Sequence, residues 1–108
     1  QMPEKLGPTI PQLLQELGSV KPIAKETFSC WTDASFHDHL ESLTRRHVVL
    51  TGIECHVCVY QTALDLMSNG YNVHLVTDAV SSRTPENREV GIQAIKSAGA
   101  LQADLEIM

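Results

Sequence analysis

The sequence lacks the features that mark several large classes of protein. No apolar run approaches the roughly 18 residues that a membrane span needs, so we expect no contact with a membrane. Its 8 Lys and Arg stand against 13 Asp and Glu, which gives a net charge of −5 without any basic stripe. Nucleic acid is therefore not expected as the main partner. With 43% hydrophobic and 19% charged residues, an ordinary globular domain remains.

Cysteine is also scarce. The sequence has three cysteines, an odd number, and no recognisable secretory leader. A disulfide scaffold is therefore not expected. We predict a cytoplasmic or other intracellular setting, with no organelle excluded.

The length of 108 residues allows one domain or a part of one. The chain opens with Gln1-Met2-Pro3, and its last four residues, 105–108, predict the first turn of an amphipathic helix. We therefore expect residues 1–108 to be part of a single larger domain, with its first strand and its C-terminal end missing.

The first 45 residues predict loops and short helices. Three prolines between positions 3 and 11 indicate an extended loop, and a short helix then ends at Gly18. A brief extended segment over residues 22–25 follows. A second helix is predicted from residue 33 to about residue 44, with Thr32 or Asp33 as its cap.

The centre of the sequence predicts a βαβ unit. Val48-Val49-Leu50 is a continuous apolar run, typical of a parallel strand that is buried on both faces. The following helix ends at Asn69-Gly70, and a second strand covers residues 71–78. Strand, helix and strand over about 30 residues form such a unit.

A further helix and a last strand complete this pattern. Thr84-Pro85 is a typical helix start, because Thr caps the helix and Pro fits its first position. The expected apolar face consists of Val90, Ala94, Ile95 and Ala98. Residues 100–103 predict a short strand. The predicted fold class is α/β with a mostly parallel sheet.

Loops after the two central strands are the first place to look for chemistry, because ligands of open α/β sheets bind beyond the carboxyl ends of strands. One loop, residues 51–58, leads into a helix, and a cysteine at a helix start is favoured as a thiolate. Cys58 lies closest to that start and is the candidate reactive thiol. Cys30 and Cys55 are expected to be structural, and a buried structural role also stays open for Cys58.

Two other chemistries fit the same residues. Cys55-His56-Val57-Cys58 has the spacing of a thioredoxin-like redox pair, and it is also half of a zinc site with His37 and His39 as distant ligands. The preceding loop is longer than a redox turn needs, and no second ligand pair completes a zinc site. We therefore expect neither a metal nor another cofactor.

Lys25 is the second candidate for a functional side chain. In Lys25-Glu26-Thr27-Phe28-Ser29 a cation directly follows a short extended segment. Such an ammonium stabilises a nearby thiolate or holds a proton-relay partner. An ordinary surface lysine is the alternative interpretation.

A series of motifs resembles the isochorismatase-like cysteine hydrolase family. The motifs occur in order and at suitable spacing: Lys25-Glu26-Thr27-Phe28-Ser29, Thr51-Gly52-Ile53-Glu54, Cys58-Val59, Thr62-Ala63-Leu64-Asp65, Gly70-Tyr71-Asn72-Val73, Thr77-Asp78-Ala79 and Ser81-Ser82-Arg83. The chain is more similar to the small isochorismatase-domain proteins of unassigned substrate than to the nicotinamidases. The resemblance implies a three-layer α/β/α domain with a doubly wound, Rossmann-like, mostly parallel sheet.

The resemblance also implies a catalytic set. Amidase members of the family use a Cys, a Lys and an Asp. Cys58 matches the nucleophile and Lys25 the lysine, whereas the Asp belongs to a strand that would precede Gln1. A cis peptide of the family maps onto the Ile53–Glu54 bond, and it would aim the backbone N–H groups of Glu54 and Cys58 at an oxyanion. Ile53, Glu54 and Cys58 are therefore the expected substrate-binding positions.

A cysteine at position 58 favours one reaction class within the family. Cleavage of a vinyl ether needs acid assistance at carbon and no thiol, whereas a thiolate attacks a carbonyl carbon. We therefore expect a hydrolase that cleaves a small amide-like molecule through a thioester. Its expected partners are this substrate and further copies of itself. The alternatives are a non-catalytic binding or structural member of the family and, less favoured, a CxxC redox protein.

Overall fold

Strands and helices alternate through the second half of the chain. The computed structural model describes residues 3–106. Its elements, in chain order, are α1 (Pro3–Leu6), α2 (Pro11–Leu17), a 3-10 turn (Cys30–Thr32), α3 (Ala34–Ser42), β1 (His47–Gly52), a π turn (Cys55–Val59), α4 (Tyr60–Ser68), β2 (Asn72–Val80), α5 (Pro85–Ser97) and β3 (Leu101–Ala103). The predicted α/β class is confirmed.

The three strands form a parallel sheet in the order β1-β2-β3. Leu50 lies opposite Leu75 in the first pair of strands, and His74 lies opposite Leu101 in the second. Among the described residues, β2 is the one strand that pairs with β1. An additional strand beside β1 stays a prediction.

The core lies between the sheet and helices α4 and α5. Leu66 of α4, Leu75 of β2 and Ile95 of α5 are fully buried there. Burying an aliphatic side chain of this size contributes about 1.5–3 kcal/mol. This cluster holds the βαβ unit together and fixes α4 against the sheet.

One face of β1 is less covered than expected. Val48 and Leu50 pack against the core cluster, whereas Val49 is 47% exposed. Successive side chains of a strand point to opposite faces of the sheet. The core therefore contacts only the face that carries Val48 and Leu50. The prediction that this run is buried on both faces is therefore wrong for the described residues.

Local signals at the helix ends are confirmed. Asp33 caps α3, where its carboxylate accepts a hydrogen bond from Phe36 N at 3.0 Å. Thr84 caps α5 in the same way, accepting from Asn87 N at 3.1 Å. Gly18 directly follows α2 and adopts a positive φ of 59°.

The two ends of the chain differ in part from the predictions. Residues 3–6 form a helical turn instead of an extended loop, closed by Gly7 N donating to Pro3 O at 3.0 Å. Pro fits the first position of such a turn, where no N–H is needed. At the other end, residues 105 and 106 form a turn, and residues 107 and 108 lie outside the described residues. Within residues 3–106, no helix has the length and apolar character needed to cross a membrane.

Candidate active site

A π turn follows β1 and carries two of the cysteines. Glu54 O accepts hydrogen bonds from Val57 N and Val59 N, and Cys55 O accepts one from Tyr60 N. The bonds to Val59 and Tyr60 span five residues, one more than in an α-helix. The predicted helix therefore starts with a wider turn, which sends Cys55 and Cys58 into different surroundings.

Backbone hydrogen bonds join this turn to the loop after β2. Cys55 N donates to Ser81 O at 2.7 Å, and Ser81 N donates to Gly52 O at 2.9 Å. Both loops leave the carboxyl ends of parallel strands and therefore meet at one edge of the sheet. Backbone hydrogen bonds thus join the two loops at the edge that is predicted to carry the chemistry.

Helix α5 supports the π turn from the other side. Gly91 approaches it so closely that a Cβ at this position would lie 2.8 Å from His56 N and 2.9 Å from the carbonyl carbon of Cys55. Both contacts are with backbone atoms, which have no rotamer to change. Only glycine at position 91 allows α5 to pack here.

The Cys58 thiol and the Lys25 ammonium are brought together. Lys25 Nζ lies 3.9 Å from Cys58 Sγ, and the two residues are 33 positions apart in the sequence. Nζ also donates hydrogen bonds to the carbonyl oxygens of Thr27, at 2.5 Å, and Phe28, at 3.1 Å. A cation held at this distance stabilises negative charge on the sulfur.

Cys55 occupies a different environment. Its side chain is fully buried, and this burial raises the pKa of the Cys55 thiol, with the positive charge of Arg88 acting in the opposite, smaller direction. A thiol in such surroundings stays protonated and unreactive near neutral pH. Cys30, Cys55 and Cys58 are all free, so no disulfide joins the CxxC pair.

His37 and His39 do not join the cysteines in a metal site. His37 stacks on Trp31 with ring centroids 4.0 Å apart, and its Nε2 lies 3.0 Å from Glu41 Oε1. Across residues 3–106, no group of three or more His, Cys, Asp or Glu side chains comes together as a set of metal ligands.

The peptide bond between Ile53 and Glu54 is trans, so the predicted cis bond is wrong. A cis bond without proline costs about 3–4 kcal/mol and needs surrounding contacts that enforce it. Ile53 is 78% exposed and has few such contacts. The cis geometry was the reason to expect oxyanion donors at Glu54 and Cys58, and that reason no longer applies.

A polar cluster surrounds Glu54, and no motif in the sequence predicted it. Glu54 Oε1 accepts from Arg83 Nε at 3.0 Å, and Glu54 Oε2 is buried without a hydrogen-bond partner among the described residues. His56 Nδ1 lies 3.8 Å from that oxygen and 3.0 Å from Ser82 Oγ. The sequence did contain a signal for this cluster, because the loops that carry Glu54 and Ser82 follow neighbouring strands and were expected at the same edge of the sheet.

A second missed group ties the Lys25 region to α4. Ser29 Oγ donates to Asp65 Oδ2 at 2.6 Å, and Cys30 N donates to Thr62 Oγ1 at 2.9 Å. The sequence signal is weak here, since the partners lie more than 30 positions apart.

No carboxylate accompanies the thiol within the described part of the chain. In residues 3–106, Lys25 is the one side chain within hydrogen-bonding distance of Cys58 Sγ. The aspartate expected ahead of Gln1 stays a prediction.

Comparison with known proteins identifies the fold and its relatives. The model of the isochorismatase domain family matches residues 4–107. A secreted isochorismatase effector, Isc1, from Phytophthora sojae is 39% identical over 110 residues, which cover 98% of this chain and 52% of that protein. The chain spans about half the length of the curated relatives it matches.

Solved structures agree with this match. The MAR1 ribonuclease from Caenorhabditis elegans superimposes with a TM-score of 0.87 at 41% identity, covering 96% of this chain and 53% of that one. The nicotinamidase PncA from Bacillus subtilis gives 0.75 at 25% identity, over 86% and 53% of the two chains. The YcaC protein from Escherichia coli, described as an octameric hydrolase of unknown specificity, gives 0.87 at 24% identity, over 94% and 50%. Fold, motifs and family match lead to one conclusion: this chain belongs to the isochorismatase domain family.

Proposed function

We propose that the protein is a cysteine hydrolase that cleaves the C–N bond of a small amide-like substrate. Membership of the isochorismatase-like hydrolase family supports hydrolysis in general. The observation that carries the finer proposal is the 3.9 Å distance between Lys25 Nζ and Cys58 Sγ at the carboxyl edge of the sheet. A half-buried thiol beside a held ammonium is the arrangement expected of an activated nucleophile.

The proposed reaction has two steps. The Cys58 thiolate attacks the amide carbonyl carbon and forms a C–S bond. The C–N bond then breaks as the leaving nitrogen takes the proton that the base had removed from the thiol. Water then attacks the thioester, which releases the carboxylic acid and restores the thiolate. Lys25 stabilises the thiolate before attack and after release. The base that removes the thiol proton is an aspartate from outside the described residues.

The substrate class follows from the nucleophile and from one relative. The structurally similar PncA is described as a nicotinamidase, whose name states that it acts on an amide. A thiolate suits a carbonyl carbon, and it has no role in opening a vinyl ether. Ile53 and Glu54 directly precede the π turn that carries Cys58, and we assign Ile53, Glu54 and Cys58 to substrate contact.

Phosphodiester cleavage is the second candidate function. It is favoured by the 41% identity to the MAR1 ribonuclease. The net charge of −5 and the lack of a basic stripe weigh against RNA as the substrate, because proteins gain much of their affinity for RNA from Lys and Arg side chains that contact phosphates. Amide hydrolysis therefore stands first.

We also propose a homo-oligomer in an intracellular setting. The homo-oligomer is supported by the structurally similar YcaC, which is described as octameric. The intracellular setting is supported by the three free cysteines. Light scattering on the purified full chain tests the oligomer, and a single-copy mass would contradict it.

Ammonia release from a panel of primary amides, nicotinamide included, tests the proposed reaction. We expect Cys58→Ala to abolish turnover, and quenched mixtures of the parent protein to carry an acyl group on Cys58 by mass spectrometry. Cys30→Ala is the matched control and should turn over like the parent. Full amide turnover by Cys58→Ala would overturn the proposal. Cleavage of RNA but of no amide by the parent would establish the second candidate instead.

A further inference from the structure

One face of the helix that starts at the π turn carries the nucleophile and two polar side chains. Cys58, Thr62 and Asp65 follow one another at spacings of four and three residues, which places them on the same side of a helix. The residues that follow Cys58 and Thr62, namely Val59 and Ala63, are buried in the core together with Leu66. The face with Cys58 therefore points away from the core cluster.

Residues 25–30, here called the lysine segment, lie against this face. Ser29 Oγ donates to Asp65 Oδ2 at 2.6 Å, and Cys30 N donates to Thr62 Oγ1 at 2.9 Å. Ser29 is 4% exposed and Thr62 is 2% exposed, so water competes poorly for these bonds. A hydrogen bond to a carboxylate is also stronger than one between neutral groups.

Further hydrogen bonds within the lysine segment connect Ser29 to the Lys25 ammonium. Thr27 Oγ1 donates to Ser29 O at 2.6 Å, which folds the lysine segment into a compact turn. The carbonyl oxygens of Thr27 and Phe28 then accept from Lys25 Nζ. The flexible lysine side chain is thus held by a turn that is itself fixed to α4.

We propose that Ser29, Thr62 and Asp65 are positioning residues for the active site. They dock the lysine segment on the helix face that carries Cys58, and they thereby set the distance between Lys25 Nζ and Cys58 Sγ. This inference rests on the proposed function, since it concerns how the Cys58 thiolate is stabilised. None of the three residues needs to touch the substrate.

The rate of Cys58 alkylation by iodoacetamide, measured against pH and assigned by peptide mass mapping, tests this role. In the full chain, Ser29→Ala and Asp65→Ala should slow alkylation near neutral pH by about three- to tenfold, because an ammonium that is no longer held 3.9 Å from the sulfur stabilises its negative charge less. Asp65→Asn keeps an acceptor oxygen for the Ser29 hydroxyl and should slow alkylation less than Asp65→Ala does. Asp38→Ala on the exposed side of α3 is the matched carboxylate control and should behave like the parent.

A Lys25→Met background separates positioning from general damage to the fold. If Ser29 acts through the ammonium, Ser29→Ala should cause no further slowing once Lys25 is replaced. Circular dichroism identifies variants that fail to fold, and for those the milder Asp65→Asn is compared in both backgrounds.

Two results would overturn the inference. One is a folded Ser29→Ala or Asp65→Ala variant with the parent's alkylation profile, while Lys25→Met is slowed. The other is a slowing that persists undiminished in the Lys25→Met background. Parent-like alkylation of Lys25→Met itself would instead overturn the proposed function together with this inference.

Discussion

Cys55 and Cys58 lie three residues apart in one π turn, yet Cys55 is fully buried while the Cys58 sulfur lies 3.9 Å from the Lys25 ammonium. Burial raises the pKa of the Cys55 thiol, and the neighbouring cation favours negative charge on Cys58. The two thiols are therefore expected to differ strongly in reactivity.

Iodoacetamide at neutral pH should label Cys58 before Cys55. Peptide mass mapping over time gives the order, and we expect Lys25→Met to slow the labelling of Cys58 by about tenfold without changing that of Cys55. Labelling of Cys55 first, in folded protein, would contradict the assignment of the reactive thiol.

Stability should decline at alkaline pH in part because of Cys55. The raised pKa means that the folded state favours the neutral thiol, whereas the unfolded thiol ionises near pH 8.5 to 9. The stabilisation is therefore complete below that range and is lost as pH rises toward the folded-state pKa. Urea unfolding from pH 7 to 10 should show a steeper loss for the parent than for Cys55→Ala. Cys30→Ala is the control, and equal slopes for the parent and Cys55→Ala would refute the prediction.

Gly91→Ala should destabilise the fold by about 1–3 kcal/mol, the usual cost of overpacking. The new methyl group would meet backbone atoms of His56 and Cys55 at 2.8–2.9 Å. Alanine is otherwise the better helix former by about 1 kcal/mol, so a loss must come from this contact. Urea midpoints measure the change, with Gln93→Ala on the exposed side of α5 as the control. An unchanged or raised midpoint for Gly91→Ala would show that α5 has room to move.

Thr84→Ala should cost about 1 kcal/mol, because it removes the side-chain oxygen that caps α5. Asn87→Ala is a matched control, since only the backbone N–H of Asn87 takes part in the cap. Thermal unfolding of both variants should lower the midpoint for Thr84→Ala alone. Equal midpoints would mean that the cap contributes little.

Local signals in the sequence were sufficient for much of the fold. Asp33 and Thr84 cap their helices as predicted, because a cap depends on residues only three positions away. The parallel strands and the edge with the two loops follow from apolar runs of characteristic length.

Long-range packing set the limits of prediction. Val90 was expected on the apolar face of α5, but it is 63% exposed, and the buried face instead runs through Gly91, Ile92 and Ile95. Gly91 lies on this buried face, where α5 closely approaches the π turn, and a glycine carries no hydrophobic signal. The hydrogen bond from Ser29 to Asp65 joins residues that are 36 positions apart, and no local sequence pattern predicts it.

The expected cis bond shows a different limit. It was transferred from a family resemblance to the Ile53–Glu54 bond, and no residue of this sequence demanded it. With Ile53 largely exposed, the intrinsic preference of the peptide bond for trans decides the outcome.

The π turn makes loop length part of the chemistry. One residue fewer between Cys58 and Thr62 would convert the wide turn into an ordinary α-helical one and shift the positions before the deletion, Cys58 included, by about 100° around the axis. A relative with such a deletion would keep a cysteine and a lysine in its sequence and still separate their charges in space. To distinguish active from inactive members of the family, the number of residues between the cysteine and the threonine at these two positions is therefore as informative as their identities.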